Sequence, residues 1–541
     1  VRAPPGPGPA AAREPAAALG PRRRRAAVER IAAARWRGPG LAFALGAVAA
    51  LGHVPFSLPW LALAAHAAAI WLFTLPLGAR AAAGRGWAFG TGHFAVALFW
   101  IVEPFFVDPL RHGWMAPFAL LFMAGGLALF WAAAFGLAHA LGRGRRTRAL
   151  WLVVALAGAE IARSVVLTGF PWALIGHVWI GAPQMQLAAF GGADALTLLT
   201  LAAAALPALL GPGRASLGLV AGAGLVALAG LAALRVPDPP AAPAEPRVTV
   251  RLVQPNAPQH LKWRRDMIGV FWERALALTA AAPDGPAPGR RPDLVLWPET
   301  SVPYLLDSAR PGFDRMAEAA GAGWIAAGIQ RIADDGHWRN SLVALGPDGA
   351  LRDVYDKHHL VPFGEYMPLG DLFERWGIFG LAANLSGSYR PGEGPRLTAL
   401  GAAGRAMPLI CYEAIFAREI LRLPERPDWL MHATNDAWFG RLSGPYQHLA
   451  QARLRAVEFG LPVLRAANTG VSAAIDAHGR VLGAVPLGQA GRLDVALPRA
   501  LPPTPYARFG GLPVLSALAV LSGLAAALSW RKALAPGRGR E

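Results

Sequence analysis

Cysteine is all but missing: Cys411 is the only one in the 541 residues. That excludes an internal disulfide and any metal site built from several thiolates. Lysine is nearly as scarce, with Lys262, Lys357 and Lys532 standing among many arginines. The arginine preference reflects genome composition, so each surviving lysine asks for a reason. A lysine ammonium is compact and can release its proton, which a guanidinium cannot. Chance retention suffices for Lys532, in the tail. Charge is thin overall, at 16% of residues against 54% hydrophobic, a balance that points to a membrane class. The net charge of +18 sits in short arginine clusters between apolar runs. No basic stripe interleaved with aromatics occurs, so no nucleic-acid partner is expected. The pattern is that of cytoplasmic loops beside an anionic leaflet.

What is present divides the chain. Residues 1–37 are rich in Ala, Pro, Gly and Arg and read as a disordered cytoplasmic arm, not a cleavable signal peptide. No Asp, Glu, Lys or Arg occurs over residues 38–79. A crossing needs ~20 apolar residues, so this run holds two. Further crossings are expected near residues 87–106, 114–141, 149–167, 186–210, 215–235 and 510–530. Seven then precede the polar region and one follows it. Arg80, Arg85, Arg143, Arg145, Arg146, Arg148 and Arg214 all fall in loops on the side of the arm, as the positive-inside rule requires. The expected organisation is a seven-helix transmembrane domain over 38–235, an extracytoplasmic domain over 236–509, an eighth span over 510–530 and a basic cytoplasmic tail over 531–541. Glu160 and Arg163 fall inside the fifth span on one helix face, and read equally as a functional or a structural pair.

A proline-rich linker over 236–247 opens the polar region. Beyond it the texture is α/β. Strands are predicted from Val248, Val250 and Leu252, over 293–297, over 324–329, on both sides of Pro347-Asp348-Gly349, over 408–411, over 429–434 and over 463–468. Helices around 264–282, 310–321 and 446–460 lie between them, which indicates a layered domain.

Three patterns at predicted strand ends carry chemistry: Trp297-Pro298-Glu299-Thr300, the run from Asp356-Lys357-His358-His359 to Glu365, and Pro408-Leu409-Ile410-Cys411-Tyr412-Glu413. Each alone has a plain reading as a cap, a surface charge or a buried thiol. Together they supply a thiol, a base to deprotonate it and a cation for a developing oxyanion. A metal site on His358 and His359 is disfavoured, because adjacent residues of an extended chain face opposite ways.

Glu299, Lys357 and Cys411, in this order, resemble the nitrilase superfamily of carbon–nitrogen hydrolases. With such a domain set between seven spans and one more, the chain resembles the apolipoprotein N-acyltransferases of bacterial envelopes over residues 38–530. Gly169-Phe170-Pro171-Trp172, Lys262-Trp263 and Asn435-Asp436-Ala437-Trp438-Phe439-Gly440 add to the likeness. The resemblance implies a multipass α-helical membrane protein carrying an αββα sandwich on the periplasmic side of the inner membrane. It implies Cys411 as nucleophile, Glu299 as general base and Lys357 as oxyanion-stabilising cation, with the Tyr412 N–H completing the oxyanion hole. Glu365, Tyr412, Glu413 and Trp263 match supporting positions. The implied reaction moves a phospholipid acyl chain through a Cys411 thioester to the amine of a diacylglyceryl-cysteine apolipoprotein, by a monomer without cofactor or metal. A gate for the second lipid is expected within 364–390 or 436–447. The alternatives are a membrane-tethered nitrilase-type amidase and a transporter with an outer binding domain.

Overall fold

A computed structural model of the chain describes Arg30 and residues 37–233, 248–284, 289–368 and 389–534. The arm before Arg37 apart from Arg30, the linker over 236–247, most of the expected gate over 364–390 and the end of the tail lie outside the described residues.

The apolar runs fold as helices. Four stretches are long and apolar enough to cross a membrane: Pro109–Leu141, Pro183–Leu210, Pro212–Ala233 and Leu512–Arg531. A fifth is reached if Ala79–Ala97 and Phe99–Phe106, bent by 49° at their junction, make one span. The other expected crossings are the helices Arg37–Ala50 (α1), Pro59–Phe73 (α2) and Arg145–Arg163 (α3). The first two are short, at 14 and 15 residues, and α3 carries charge at both ends.

The charges ending α3 have a definite job. Glu160 and Arg163 are both fully buried and 3.1 Å apart. Glu160 accepts hydrogen bonds from the Trp131 indole at 2.9 Å and the Ile175 N–H at 2.9 Å. Arg163 donates to the carbonyls of Phe170 and Trp172, at 2.6 and 2.8 Å. The pair therefore clamps the irregular stretch around Phe170-Pro171-Trp172, whose backbone groups have no regular structure to satisfy them. Of the two readings left open by the sequence, the geometry supports the structural one. Losing one half of such a buried pair costs about 3–5 kcal/mol, because the other charge is stranded.

Beyond the linker, alternation of apolar side chains builds two sheets. One runs β12-β1-β2-β3-β4-β5 and the other β11-β10-β9-β8-β7-β6. In the first, β1 (Thr249–Gln254), β2 (Leu294–Leu296) and β3 (Trp324–Ile332) pair in parallel, and β4 (Trp338–Leu345), β5 (Leu351–Asp356) and β12 (Gly491–Ala496) flank them antiparallel. The second repeats the plan. Its β7 (Arg405–Ile410), β8 (Trp429–Thr434) and β9 (Val463–Ala467) are parallel, with β6 (Thr398–Ala399), β10 (Ser472–Ile475) and β11 (Val481–Val485) outside them. Strand side chains alternate between faces. Leu252, Leu294, Leu296, Ile410, Met431 and Ala433 meet in a core between the sheets. Val253 and Val295 point outward onto helices Arg265–Ala280 (α4) and Arg310–Ala320 (α5) through Trp272, Phe313 and Met316. Met407, Leu409 and Leu430 do the same against helix Gly444–Phe459 (α6). The domain is a helix–sheet–sheet–helix sandwich, as expected from the sequence, and every predicted strand and helix named above is present.

The inner core is continuous with the membrane helices. Trp100, Trp131, Trp172 and Phe439 belong to the same apolar cluster as Ile410 and Tyr412.

Candidate active site

Glu299, Lys357 and Cys411 each lie just past a strand end, after β2, β5 and β7 respectively. All three are buried, at 6%, 1% and 5% exposure. The chain must bend sharply to present them. Thr300 has φ +45° and Cys411 φ +51°, in the left-handed region that L side chains avoid. Such strain persists only where surrounding contacts over-determine it, and it concentrates at functional sites.

The turn carrying Glu299 is pinned from both sides. A Cβ on Gly328 of β3 would lie 2.4 Å from the Thr300 nitrogen, so only glycine admits the turn here. From the other side the Lys262 ammonium donates to the Glu299 carbonyl at 3.3 Å and to the Thr300 hydroxyl at 2.9 Å. Burial pushes Lys262 down to about 8, and the Glu299 charge offsets only part of this. The Glu299 carboxylate accepts from the Asn340 amide at 2.7 Å and from the Asn435 backbone N–H at 2.8 Å.

Lys357 lies between two carboxylates, 3.6 Å from Glu299 and 2.9 Å from Glu365. Burial alone would lower its pKa, but the charges of Glu365, Glu299 and Cys411 outweigh burial and hold it above the ordinary lysine value. It stays an ammonium. Glu365 is held in turn by Asn340 at 3.0 Å and by the Val361 N–H at 2.8 Å. At Cys411, burial and then the Glu299 charge push the thiol up, against the pull of Lys357 and a hydrogen bond with Thr434. The resting sulfur is therefore a neutral thiol within reach of the fields of Glu299 and Lys357.

Glu413 serves the backbone around Cys411. It accepts from the N–H groups of Ile410, His358 and His359 at 2.7, 2.8 and 3.2 Å and from the Tyr355 hydroxyl at 3.1 Å. It thus ties the turn carrying Cys411 to the loop after Lys357. His358 sits 2.7 Å from Glu413 and 3.1 Å from Glu419, and His359 lies 3.2 Å from Glu419. Burial would lower the His358 imidazole, but bonds to Glu413 and Glu419 outweigh it and raise the pKa from 6.5 to about 9. A raised value means that its contribution to stability is complete below the unfolded-state pKa near 6.5 and is lost as pH rises through about 9. The thermal stability of the wild type should fall as pH rises across that window, read as a declining unfolding temperature, and His358→Asn should flatten the decline. An equally steep decline in the variant would overturn the assignment.

Tyr412 is buried, its ring 5.0 Å from Phe416 and 6.5 Å from Phe170, its hydroxyl at 3.5 Å from the Gly169 carbonyl. Trp263 alone among the expected supporting residues is exposed, at 38%, and its connection to the site is Lys262, whose ammonium lies 5.2 Å from its ring.

Several residues at the site were not anticipated from the sequence. Asn340 bridges Glu299 and Glu365, and lying between Arg339 and Ser341 at the polar start of its strand it carried no signal of its own. Behind Cys411 lies a buried polar group. His432 and His448 place Nε2 at 3.2 and 3.1 Å from the Cys411 carbonyl. Asp436 holds His448 Nδ1 at 2.9 Å and is paired with Arg465. Next to His448, Gln447 reaches the turn after α1 and the end of the helix Ala79–Ala97, donating to the carbonyls of Val54 and Ala97 at 3.1 and 3.0 Å, and accepts from the Trp172 indole at 2.7 Å. Among the described residues no cluster of His, Cys, Asp and Glu is disposed to hold a metal ion.

Comparison with known proteins agrees with this arrangement. The family model described as carbon-nitrogen hydrolase matches residues 249–501, and that described as apolipoprotein N-acyltransferase N-terminal domain matches residues 45–206. An apolipoprotein N-acyltransferase of Caulobacter vibrioides is 40% identical over 519 residues, covering 91% of this chain and 94% of its own. That of Rhodopseudomonas palustris is 37% identical, covering 90% of this chain and 94% of its own. That of Sinorhizobium fredii is 39% identical, covering 78% and 81%. Among solved structures, an amidase from Nesterenkonia matches 50% of this chain and 96% of its own at 16% identity and a TM-score of 0.33, too distant a likeness to build on.

Proposed function

The chain belongs to the apolipoprotein N-acyltransferase family, and from that membership we propose that it moves an acyl chain from a membrane phospholipid, through a thioester on Cys411, to the N-terminal amine of diacylglyceryl-cysteine apolipoproteins. The observation that carries the mechanism is the pair of charges acting on one buried thiol, the Glu299 carboxylate and the Lys357 ammonium.

In the first half-reaction Cys411 attacks the ester carbonyl. Its proton passes to Glu299 as the carbon–sulfur bond forms, while Lys357 and the Tyr412 N–H meet the developing oxyanion. The ester carbon–oxygen bond then breaks, and Glu299 returns the proton to the departing lysophospholipid oxygen. In the second half-reaction the acceptor amine attacks the thioester. Glu299 takes a proton from the nitrogen and gives it back to sulfur as the amide forms. Glu365 keeps Lys357 in place, and Glu413 keeps the nucleophile turn against the lysine loop. Water must be excluded between the halves, or the thioester would hydrolyse.

The same reading carries the topology. The polypeptide crosses the inner membrane eight times, with a seven-helix domain over 38–235, the catalytic domain over 236–509 on the periplasmic side, and the last span over 510–530. It works as a monomer. The arginines near helices at 80–85, 143–148 and 214 support that orientation. A domain seated on helices meets the donor's ester carbonyl and the acceptor's amine near headgroup depth without extracting either lipid.

The test is to incubate full-length protein with acyl-labelled phospholipid and follow label on the peptide containing Cys411. A hydroxylamine-sensitive adduct that forms and then moves to a diacylglyceryl-cysteine peptide is expected. Activity retained in Cys411→Ala, with no adduct on wild type, would sink the reading.

A further inference from the structure

The Cys411 carbonyl is an unusual acceptor. It belongs to the peptide unit whose N–H is that of Tyr412, and in a planar trans peptide the two groups point in opposite directions. Whatever holds the carbonyl therefore aims the N–H. The N–H groups opening a helical turn lack intrahelical acceptors, and Tyr412 is in the first positions of the turn Cys411–Ile415. Two imidazoles approach the carbonyl from behind, and they are not equivalent.

His448 faces the Asp436 carboxylate through Nδ1, at 2.9 Å. Burial opposes the charge on Asp436, but Arg465 and His448 outweigh it and bring the acid to about 2. A carboxylate there accepts a hydrogen bond from His448, which fixes the ring's proton on Nδ1. Nε2 is then bare toward Cys411 unless the ring is cationic, and burial followed by Arg465 lowers its pKa. His432 has the opposite arrangement. The Arg465 guanidinium lies against its ring, 2.9 Å from Nδ1 and 3.2 Å from Nε2. Arginine only donates, so it favours a lone pair on Nδ1. The ring, fully buried on β8, then carries its single proton on Nε2, where the Cys411 carbonyl accepts it at 3.2 Å. Burial and the Arg465 charge keep His432 far below its ordinary pKa, which maintains this neutral form.

We propose that His432, fixed in its Nε2–H form by Arg465, is a positioning residue that aims and strengthens the Tyr412 backbone N–H by hydrogen bonding to the carbonyl of the same peptide unit. A donor on the carbonyl polarises the amide, so its N–H becomes the stronger donor. The same bond helps hold Cys411 at positive φ. The inference rests on the reading of Cys411 as nucleophile and of the Tyr412 N–H as oxyanion donor.

Alkylation of the thiol separates this role from mere support. Attack on iodoacetamide develops no oxyanion, and Cys411 is the only cysteine, so its alkylation reports placement of sulfur alone. In full-length protein, His432→Leu should slow single-turnover thioester formation from labelled phospholipid on the order of tenfold, with alkylation within about twofold of wild type. His432→Gln, which keeps an amide donor near Nε2, should recover most of the loss. His432→Asn, whose amide stops short, serves if the leucine variant does not fold and should behave as leucine was expected to. Alkylation falling in step with thioester formation, or thioester formation unchanged in the variants lacking the donor, would overturn the proposal. Absence of any thioester on wild type would instead remove the nucleophile reading on which it stands.

Discussion

Replacing Glu299 with glutamine should cut thioester formation by about 10²- to 10⁴-fold, the range typical of a lost general base. The same change should make the thiol easier to ionise. Burial and the Glu299 charge together push the Cys411 thiol up, and glutamine removes the charge while leaving the burial. Alkylation of Cys411 should therefore move to lower pH in the variant even as acyl transfer collapses. The two readouts diverge only if the carboxylate both raises the thiol's pKa at rest and accepts its proton during attack. Parallel loss of both would reduce Glu299 to a structural role. Some destabilisation accompanies the change. Glu299 offers one oxygen to Asn340 and the other to the Asn435 N–H. Glutamine can accept only one of these bonds, and stranding a buried donor costs about 1–3 kcal/mol.

Lys357→Arg should be almost as damaging, with acyl transfer down about 10²- to 10³-fold, as for removal of an oxyanion donor. The ammonium fills a pocket that leaves it 1% exposed, with carboxylates at 2.9 and 3.6 Å. A guanidinium is broader, directs its donors within one plane, and would overpack the space at a cost of about 1–3 kcal/mol. The charge survives but no longer points at the reacting oxygen. Lys357→Met separates charge from fit. Without the cation the developing oxyanion loses its charge partner although the pocket is not overpacked, so thioester formation in that variant should fall at least as far as in the arginine variant at every pH. Thioester formation measured against pH checks both, and an arginine variant within about threefold of wild type would end the assignment of Lys357 to the oxyanion.

Glu299 and Cys411 were legible in the sequence because each follows a short apolar run, where the strand stops and a reactive side chain is left at the edge of the sheet, and Lys357 because it is one of only three lysines and follows the strand after the Pro347-Asp348-Gly349 turn. The strands around them were legible for the same reason, since alternation and turn signals are local properties. What escaped was assembled from distant parts of the chain. Asn340, His432, His448 and Arg465 look unremarkable in their own segments, and the pairing of β7 with β8 and of β8 with β9 is what carries His432 and Arg465 beneath Cys411. Asp436 was within a recognised motif, but nothing local revealed its partners. The membrane helices were legible as apolar runs, although composition alone did not say which would be long, short or bent. Glu160 and Arg163 illustrate the limit well. Their spacing showed that they could pair, and only the fold showed that the pair grips the stretch carrying Trp172.

Gln447 gives that stretch a further meaning. Its amide is bonded to the Trp172 indole and to the carbonyls of Val54 and Ala97, while the adjoining His448 lies against the Cys411 carbonyl. The helical bundle is thus more than a mooring for a soluble enzyme. Through Gln447 it anchors the helix that sets His448 against the Cys411 carbonyl. A water-soluble fragment cut away from the helices for screening or crystallisation would lose those bonds, and with them part of what holds the surroundings of Cys411 in register.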